Sequence, residues 1–164
     1  MRTPILIVGV SVALIGETLA VLAQSVTQPI AFNHRLHIQD VGAECTDCHR
    51  FALEGVRATI PNIEVCIECH EEPVTDSAEE ARTIEHIQEG VPIPWRKVYY
   101  VPDHVYFSHR RHTALGGIDC TRCHGVIEER EKPLSRPLVR LNMDDCMNCH
   151  REAEASNDCV SCHR

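Results

Sequence analysis

The sequence has few aromatic side chains and no basic run. Three Phe, three Tyr and one Trp are the only aromatic residues among 164, so an ordinary core with aromatic packing is excluded. The net charge is −8, and lysines and arginines are scattered, which argues against a nucleic-acid partner. Something other than these side chains must therefore supply much of the buried mass.

No cysteine lies outside one repeated motif. The ten cysteines form five C-x-x-C pairs, and a histidine follows each pair directly. The five motifs, numbered here as sites 1 to 5, are Cys45-Thr-Asp-Cys48-His49, Cys66-Ile-Glu-Cys69-His70, Cys120-Thr-Arg-Cys123-His124, Cys146-Met-Asn-Cys149-His150 and Cys159-Val-Ser-Cys162-His163. C-x-x-C-H is the attachment signature of c-type haem.

The chemistry of haem attachment explains each position of the motif. The two thiols add to the two vinyl groups of the porphyrin, and the histidine that follows becomes the proximal iron ligand. Disulfide bonding gives no reason for a histidine after every pair, and an odd number of pairs cannot all close as four-thiolate zinc sites. A thioredoxin-like redox motif would occur once, beside a βαβ pattern. The sequence therefore predicts five covalently bound haem c groups, without which the peptide should not fold.

Six histidines remain after the five proximal ligands, and five irons need five further axial ligands. Four of the six lie in a frame that repeats with an offset of 75 residues. The two copies are Phe32-Asn-His34-Arg-Leu-His37 before Cys45 and Phe107-Ser-His109-Arg-Arg-His112 before Cys120. Histidines three apart on a helical turn share a face but project differently, so one can serve its own module's haem and the other a neighbouring haem. The sequence predicts these four histidines as distal ligands.

The fifth distal ligand is predicted as His86, with His104 as the alternative. His86 lies in a helix predicted from Ser77 to Glu89, and His104 lies close to the second H-x-x-H frame. Met143 and Met147 are further axial candidates, or else apolar residues that pack against a porphyrin.

The chain is predicted to divide into four segments. Residues 1–23 are a signal peptide or an N-terminal membrane anchor, 24–73 a dihaem module, 74–106 a helix and Pro-rich linker, and 107–164 a trihaem module. An apolar run follows Arg2, and Val21-Leu22-Ala23 fits a cleavage site, whereas Glu17 counts against a lipid-facing helix. Under either interpretation the remaining chain is exported to the periplasm or the extracytoplasmic face of the membrane, with possible membrane association through the N-terminus.

Each attachment motif is expected on a short helix, because the proximal histidine must be presented rigidly. The predicted fold class is mostly α with much irregular chain and little or no sheet. About 28 residues are available per haem (141/5, taking residues 24–164), which is too few to wrap each porphyrin separately. The haems are therefore expected to touch one another and form the core.

The F-x-H-x-x-H…C-x-x-C-H frame resembles the cytochrome c3/c7 class of multihaem cytochromes. That resemblance implies that His34 ligates the haem of site 1 and His109 the haem of site 3. It also implies that His37 and His112 serve other haems.

A second resemblance runs from Ile93 to Val126. The stretches Ile93-Pro-Trp95-Arg96-Lys-Val98, Pro102-Asp-His104-Val-Tyr-Phe-Ser-His109 and Cys120-Thr-Arg-Cys123-His124-Gly125 are similar to the pentahaem cytochrome subunit of alternative complex III. This resemblance implies electron transfer as a subunit or partner of a membrane quinol-oxidising complex, respiratory or photosynthetic, together with other redox proteins.

Electron transfer without catalysis is the predicted function, because two imidazoles saturate each iron. The alternative is a multihaem reductase of the nitrite or hydroxylamine type with one open iron. Familiar reductases of that type carry lysine in place of histidine in one attachment motif, whereas every motif here ends in histidine.

Overall fold

The computed structural model describes residues 25–163. The predicted signal peptide or anchor, residues 1–23, lies outside the described residues. Short helices joined by irregular chain make up the described part, and its β structure is one isolated antiparallel bridge between Val105 and His163. This confirms the predicted fold class. Within residues 25–163, no helix is both long enough and apolar enough to cross a membrane.

Each attachment motif contains a short helix or overlaps one. The helices are Cys45–Cys48 (α1), Phe51–Glu54 (α2), Ile63–Cys66 (α3), Ala78–Glu89 (α4), Thr121–His124 (α5), Met143–Glu152 (α6) and Cys159–Cys162 (α7), with a 3-10 turn at Ile127–Glu129. The second histidine of each H-x-x-H frame lies in a π-helical turn. The turns are Leu36–Asp40 (turn 1) and Arg111–Leu115 (turn 2). These turns are wider than the ordinary helical turn predicted from the spacing, and π-helical turns are frequent at functional sites.

The predicted helix in the linker is present as α4. Ser77 caps its start, with Oγ accepting a hydrogen bond from the Glu79 N–H at 3.2 Å. Gly90 ends it in the left-handed conformation at φ 64°, where glycine carries no steric penalty. Helix α4 packs against α3, so this part of the linker lies on the first module, beside site 2.

One asparagine joins the linker to the first module. The Asn62 side chain caps α3 by accepting from the Ile63 N–H at 2.9 Å. Its amide also donates to the Ile93 carbonyl at 3.0 Å and accepts from the Ile93 N–H at 2.7 Å. Since Ile93 is only 2% exposed, this contact anchors the chain that leaves α4.

Each H-x-x-H turn packs on the chain that follows an attachment motif of the other module. The Arg35 N–H donates to the Arg130 carbonyl, and the Arg110 N–H donates to the Gly55 carbonyl, both at 3.0 Å. Donors and acceptors both differ by 75 residues, the offset of the sequence repeat. The two modules are therefore docked reciprocally, through equivalent backbone bonds.

The described polypeptide buries few apolar side chains. Its buried apolar residues are Ile30, Ala52, Ile84 and Ile93. No large side chain of the described part is fully buried, and many large apolar residues are exposed. So little protein core is far below what a domain of this length ordinarily buries.

Candidate functional site

Four of the five proximal histidines face a second imidazole. The ring-centre distances are 6.1 Å for His37 and His70, 6.4 Å for His109 and His124, 6.0 Å for His112 and His150, and 5.6 Å for His104 and His163. Two metal–nitrogen bonds of about 2.0 Å, together with the two ring radii, separate the ring centres by about 6 Å. Each pair therefore has the spacing of two axial ligands on one iron.

His34 and His49 are neighbours at site 1. Burial, followed by smaller contributions from His49 and His37, lowers the pKa of His34 to about 4. His34 stands as far before His49 in the chain as His109 stands before His124. The repeat thus pairs His34 with His49 in the same way that the structure pairs His109 with His124.

Burial favours the neutral form of the central imidazoles. It is the largest cause that lowers the pKa of His49, His109 and His124, and neighbouring histidines lower these pKa values further. A histidine binds a metal as the neutral imidazole. Burial therefore holds these side chains in the form that can ligate iron.

Hydrogen bonds at Nδ1 orient most of the candidate ligands. The bonds to backbone carbonyl oxygens are His37 to Asn33 (2.8 Å), His49 to Thr59 (3.3 Å), His109 to Val56 (3.2 Å), His112 to Ser108 (2.8 Å) and His150 to Ser156 (2.8 Å). At His109 the Ala58 N–H also lies 3.2 Å from Nδ1. Where Nδ1 donates to the carbonyl oxygen, Nε2 is the nitrogen available to a metal. Metal-ligating histidines commonly have such an outer partner, which fixes the tautomer and the ring orientation.

The phenylalanine that begins each frame packs on both of its histidines. Phe32 stacks on His37 at 4.4 Å between ring centres and meets His34 edge-on at 4.8 Å. Phe107 stacks on His112 at 4.6 Å and meets the first histidine of its frame edge-on at 4.9 Å. Sequence reasoning assigned no role to these phenylalanines, although their equivalent positions in the repeat could have indicated one.

Tyr99, in the linker, contacts the proximal histidine of site 3. Its ring meets the His124 ring edge-on at 4.5 Å, and its hydroxyl donates to the His124 carbonyl at 3.2 Å. The same oxygen accepts from the Leu138 N–H at 3.0 Å. Tyr99 thereby ties site 3 to the chain between sites 3 and 4.

The two candidates for the fifth distal ligand lie in different surroundings. His104 faces His163, and the bridge between Val105 and His163 holds the two segments together. His86 lies near the end of α4, where its Nδ1 bonds to the Val91 carbonyl at 2.9 Å. Within residues 25–163, the histidine ring pairs do not include His86.

The two methionine candidates lie on α6. Met143 is the first residue of that helix and is 59% exposed, and Met147 lies between the two cysteines of site 4. The ring facing the proximal histidine of site 4 is that of His112.

All ten cysteines are free of disulfide bonds. In the part of the chain that the structure describes, no three histidine, cysteine or acidic side chains converge on a single metal ion. In each motif two free thiols precede the proximal histidine in the chain, as attachment of a macrocycle requires. The residues present therefore fit covalently attached haem.

Thiols of different sites approach one another. Burial raises the pKa of the Cys45 thiol, and the Cys120 thiol, which is hydrogen-bonded to it, raises that pKa further. Sites 1 and 3 therefore meet. Burial also raises the pKa of Cys66, with a further contribution from Cys48, so sites 2 and 1 are neighbours as well.

Thiols of neighbouring sites also influence one another within the second module. Burial raises the pKa of Cys123, and the two thiols of site 4 raise it further. Burial likewise raises the pKa of Cys146, with smaller contributions from Asp145 and from Cys162 of site 5. Site 3 therefore neighbours site 4, and site 4 neighbours site 5.

A buried carboxylate lies against the proximal histidine of site 2. Glu80 is 8% exposed, and its Oε1 lies 2.8 Å from His70 Nδ1. Hydrogen bonds from the Thr75 hydroxyl and the Val74 N–H, and then from His70, outweigh burial and lower the pKa of Glu80 to about 2. Sequence reasoning missed Glu80, since an acidic residue in the first turn of a helix is ordinarily explained by the helix dipole.

A family model described as "Cytochrome c7 and related cytochrome c" matches residues 30–86 and 105–164. Among curated proteins, the chain is similar to the "Menaquinone reductase, multiheme cytochrome c subunit" of Nitratidesulfovibrio vulgaris (strain Hildenborough). The two are 30% identical over 161 residues, which covers 84% of this chain and 77% of that protein.

Proposed function

Because the chain belongs to the cytochrome c7 and related cytochrome c family, we propose that it is an exported electron carrier with five covalently bound haem c groups. The observation that carries the proposal is that four of the five proximal histidines face a second imidazole ring. At site 1 the sequence repeat places His34 in the equivalent position to His109. Bound haem supplies a one-electron Fe(III)/Fe(II) couple. With two imidazoles on every iron, no position remains for a substrate.

The proposed distal ligands follow one rule in both modules. The first histidine of each H-x-x-H turn serves the next attachment motif, and the second serves the motif after it. The proposed pairs are His34 with site 1, His37 with site 2, His109 with site 3, His112 with site 4 and His104 with site 5. The ring distances support four of these pairs, and the sequence repeat supports the pair at site 1. His86 is left out, because its Nδ1 bond to the Val91 carbonyl places it at the end of α4, whereas the His104 ring faces site 5.

The five attachment sites are proposed to form a single file in the order 2–1–3–4–5. Neighbouring thiols link sites 2 and 1, 1 and 3, 3 and 4, and 4 and 5. This order differs from the order along the chain, because site 1 meets the second module while site 2 lies on its far side. Sites 2 and 5 are then the two ends at which redox partners exchange electrons with the protein.

The burial pattern supports the expected haem core. The described polypeptide buries only four apolar residues, and large apolar side chains such as Leu53, Ile60 and Leu138 are exposed. Porphyrins packed along the file of sites would cover such side chains and bury apolar area of their own.

The partner is proposed to be a membrane complex linked to quinone chemistry. The similar protein is named as a subunit of a menaquinone reductase. The sequence resemblance to the alternative complex III subunit points to the same class of partner, and membership of that particular complex stays a prediction. A position on the extracytoplasmic side of the membrane follows from the attachment chemistry.

A multihaem reductase with one open iron is the alternative. It requires a site without a distal ligand, whereas a second imidazole ring faces the proximal histidine at four sites and the sequence repeat supports His34 in that role at site 1. The electron carrier is therefore the better supported of the two.

Two measurements on the mature protein test the proposal. Pyridine haemochrome quantification, with intact mass, should give five haems per chain and no free thiol. Low-temperature electron paramagnetic resonance of the oxidised protein should show only low-spin ferric haem. Fewer than five haems would contradict the cofactor count, and a substantial high-spin signal that binds carbon monoxide on reduction would favour the reductase.

A further inference from the structure

We propose that Glu80 is a positioning residue that acts through His70 to lower the reduction potential at site 2. The inference rests on the proposed function, since it requires haem at Cys66 and Cys69. The geometry that carries it is a direct contact of 2.8 Å between Glu80 Oε1 and His70 Nδ1.

The carboxylate is held in place from several directions. Oε1 accepts a second bond from the Val74 N–H at 2.9 Å. Oε2 accepts from the Thr75 N–H at 2.8 Å and from the Thr75 hydroxyl. Three donors besides His70 converge on the two oxygens, and an ionised carboxylate can accept one more. A carboxylate can only accept, so His70 Nδ1 is the donor in this contact and Nε2 is the nitrogen that would bind iron.

Site 2 differs in this respect from two other sites. The proximal histidines of sites 1 and 4 donate Nδ1 to backbone carbonyls, those of Thr59 and Ser156. A carbonyl is a neutral acceptor, whereas Glu80 carries a full charge in a position only 8% exposed. An anionic acceptor makes the imidazole more basic, and a more basic axial ligand stabilises ferric iron over ferrous iron.

Helix α4 is what brings the acid to the histidine. Glu80 lies in its first turn, and α4 packs on α3, which leads into the site 2 motif. Site 2 is also one end of the proposed file of sites. The segment predicted as a linker would thus have a second role besides connecting the modules, because it would set the reduction potential of a terminal site.

The test compares three variants of the mature protein by spectroelectrochemical titration. In Glu80→Gln the contact to His70 is kept but loses its charge, and one of the five one-electron components should become easier to reduce. We expect a shift of the ferric/ferrous equilibrium of about tenfold, or about 59 mV. Glu85→Gln removes the same charge from an exposed position on α4 and should move no component by a comparable amount.

Thr75→Val tests whether Glu80 acts only by holding the Val74–Thr75 segment in place. It removes one donor to Glu80 but leaves the carboxylate on His70. Since the remaining charge is then less neutralised, no component should shift to higher potential. An equal positive shift in Thr75→Val and Glu80→Gln would show that the loop alone is responsible and would overturn the inference.

The haem count decides which proposal fails. With five haems present in Glu80→Gln, an unchanged set of potentials overturns the role of Glu80 and leaves the proposed function intact. A wild-type chain with free thiols at Cys66 and Cys69 would instead contradict the proposed function.

If Glu80→Gln does not retain five haems, the paramagnetic resonance spectrum of the wild-type protein tests the role of Glu80. One of its low-spin components must carry the shifted g values of a ligand with imidazolate character, and five ordinary components overturn the inference.

Discussion

The two modules carry the same ligand frame but surround its first histidine differently. In the second module, His109 Nδ1 lies 3.2 Å from the Val56 carbonyl oxygen. In the first module, the equivalent nitrogen of His34 is buried and has no hydrogen-bond partner. The second histidines of the two frames match closely, with Nδ1 bonds of 2.8 Å to Asn33 and Ser108. A sequence repeat can therefore preserve ligand spacing while the outer partners diverge.

The modules also differ in what the linker adds to them. The first module receives the carboxylate of Glu80 at site 2, and the second receives the imidazole of His104 at site 5. Both residues come from 74–106, and in the proposed file both act at an end. The repeated frames supply the proposed distal ligands of sites 1 to 4, whereas the linker adds a different side chain at each end of the proposed file.

Removal of all haem should have the largest effect, because neither module should then keep a fixed tertiary structure that can be compared with the other. A chain matured without haem should lack a fixed tertiary structure in either module, since few apolar side chains are buried by protein alone. Circular dichroism and proton chemical-shift dispersion measure this. A cooperative thermal transition in the haem-free chain would contradict the prediction.

Replacement of the second histidine of each frame tests whether the modules are equivalent. His37→Ala and His112→Ala should each convert one low-spin haem to a high-spin haem that binds carbon monoxide when reduced. The two variants should give signals of equal size, at site 2 and site 4, in paramagnetic resonance. A spectrum that stays entirely low-spin in either variant would refute that ligand assignment.

The third site of the second module is tested by a matched pair of histidines. His104→Ala should open the iron of site 5, because the His104 ring faces His163 at 5.6 Å. His86→Ala should leave all five haems low-spin and serves as the control. The opposite pattern, with high-spin haem only in His86→Ala, would support His86 as the fifth distal ligand, as predicted from the sequence.

The reciprocal docking of the H-x-x-H turns should give the smallest effects. The Thr113 hydroxyl lies 2.7 Å from the Ala52 carbonyl oxygen and 2.8 Å from the His109 carbonyl oxygen in a partly buried position, so Thr113→Val should cost about 1 kcal/mol of unfolding free energy. Gln39 donates to the Glu128 carbonyl at 2.9 Å in an exposed position, and Gln39→Ala should cost about 0.5 kcal/mol or less. Denaturant titration of the haem-loaded protein measures both. Equal costs would show that burial does not distinguish the two docking contacts.

Several local features could be predicted because their causes are local. A helix from Ser77 to Glu89 was predicted from its apolar spacing, with Asp76 or Ser77 as its cap and Gly90 at its end. The structure has this helix at Ala78–Glu89, capped by Ser77 and ended by Gly90. The π-helical form of the two H-x-x-H turns was not predicted. In turn 1 the Asn33 carbonyl accepts both the His37 N–H at 3.4 Å and the His37 Nδ1–H at 2.8 Å, a competition that the three-residue spacing does not reveal.

The partners of the candidate ligand histidines could not be predicted from their spacing in the sequence. His86 and His104 were both reasonable candidates by position, and the choice depends on how residues 104–106 lie along the last motif, where the Tyr106 N–H donates to the Cys162 carbonyl. Glu80 was likewise invisible as a partner of His70, because the two meet only when α4 folds back on α3.

By itself, the sequence determined the attachment chemistry, since thiols and proximal histidine lie within five consecutive residues and need no other part of the chain. It also determined the number of available imidazoles and the repeat that carries them. Only the tertiary structure supplied the facing imidazole rings at four motifs, the neighbouring thiols behind the proposed order of sites and the carboxylate beside one proximal histidine. Those features join residues far apart in the chain, and the packing of helices and turns, rather than residue spacing, sets their distances.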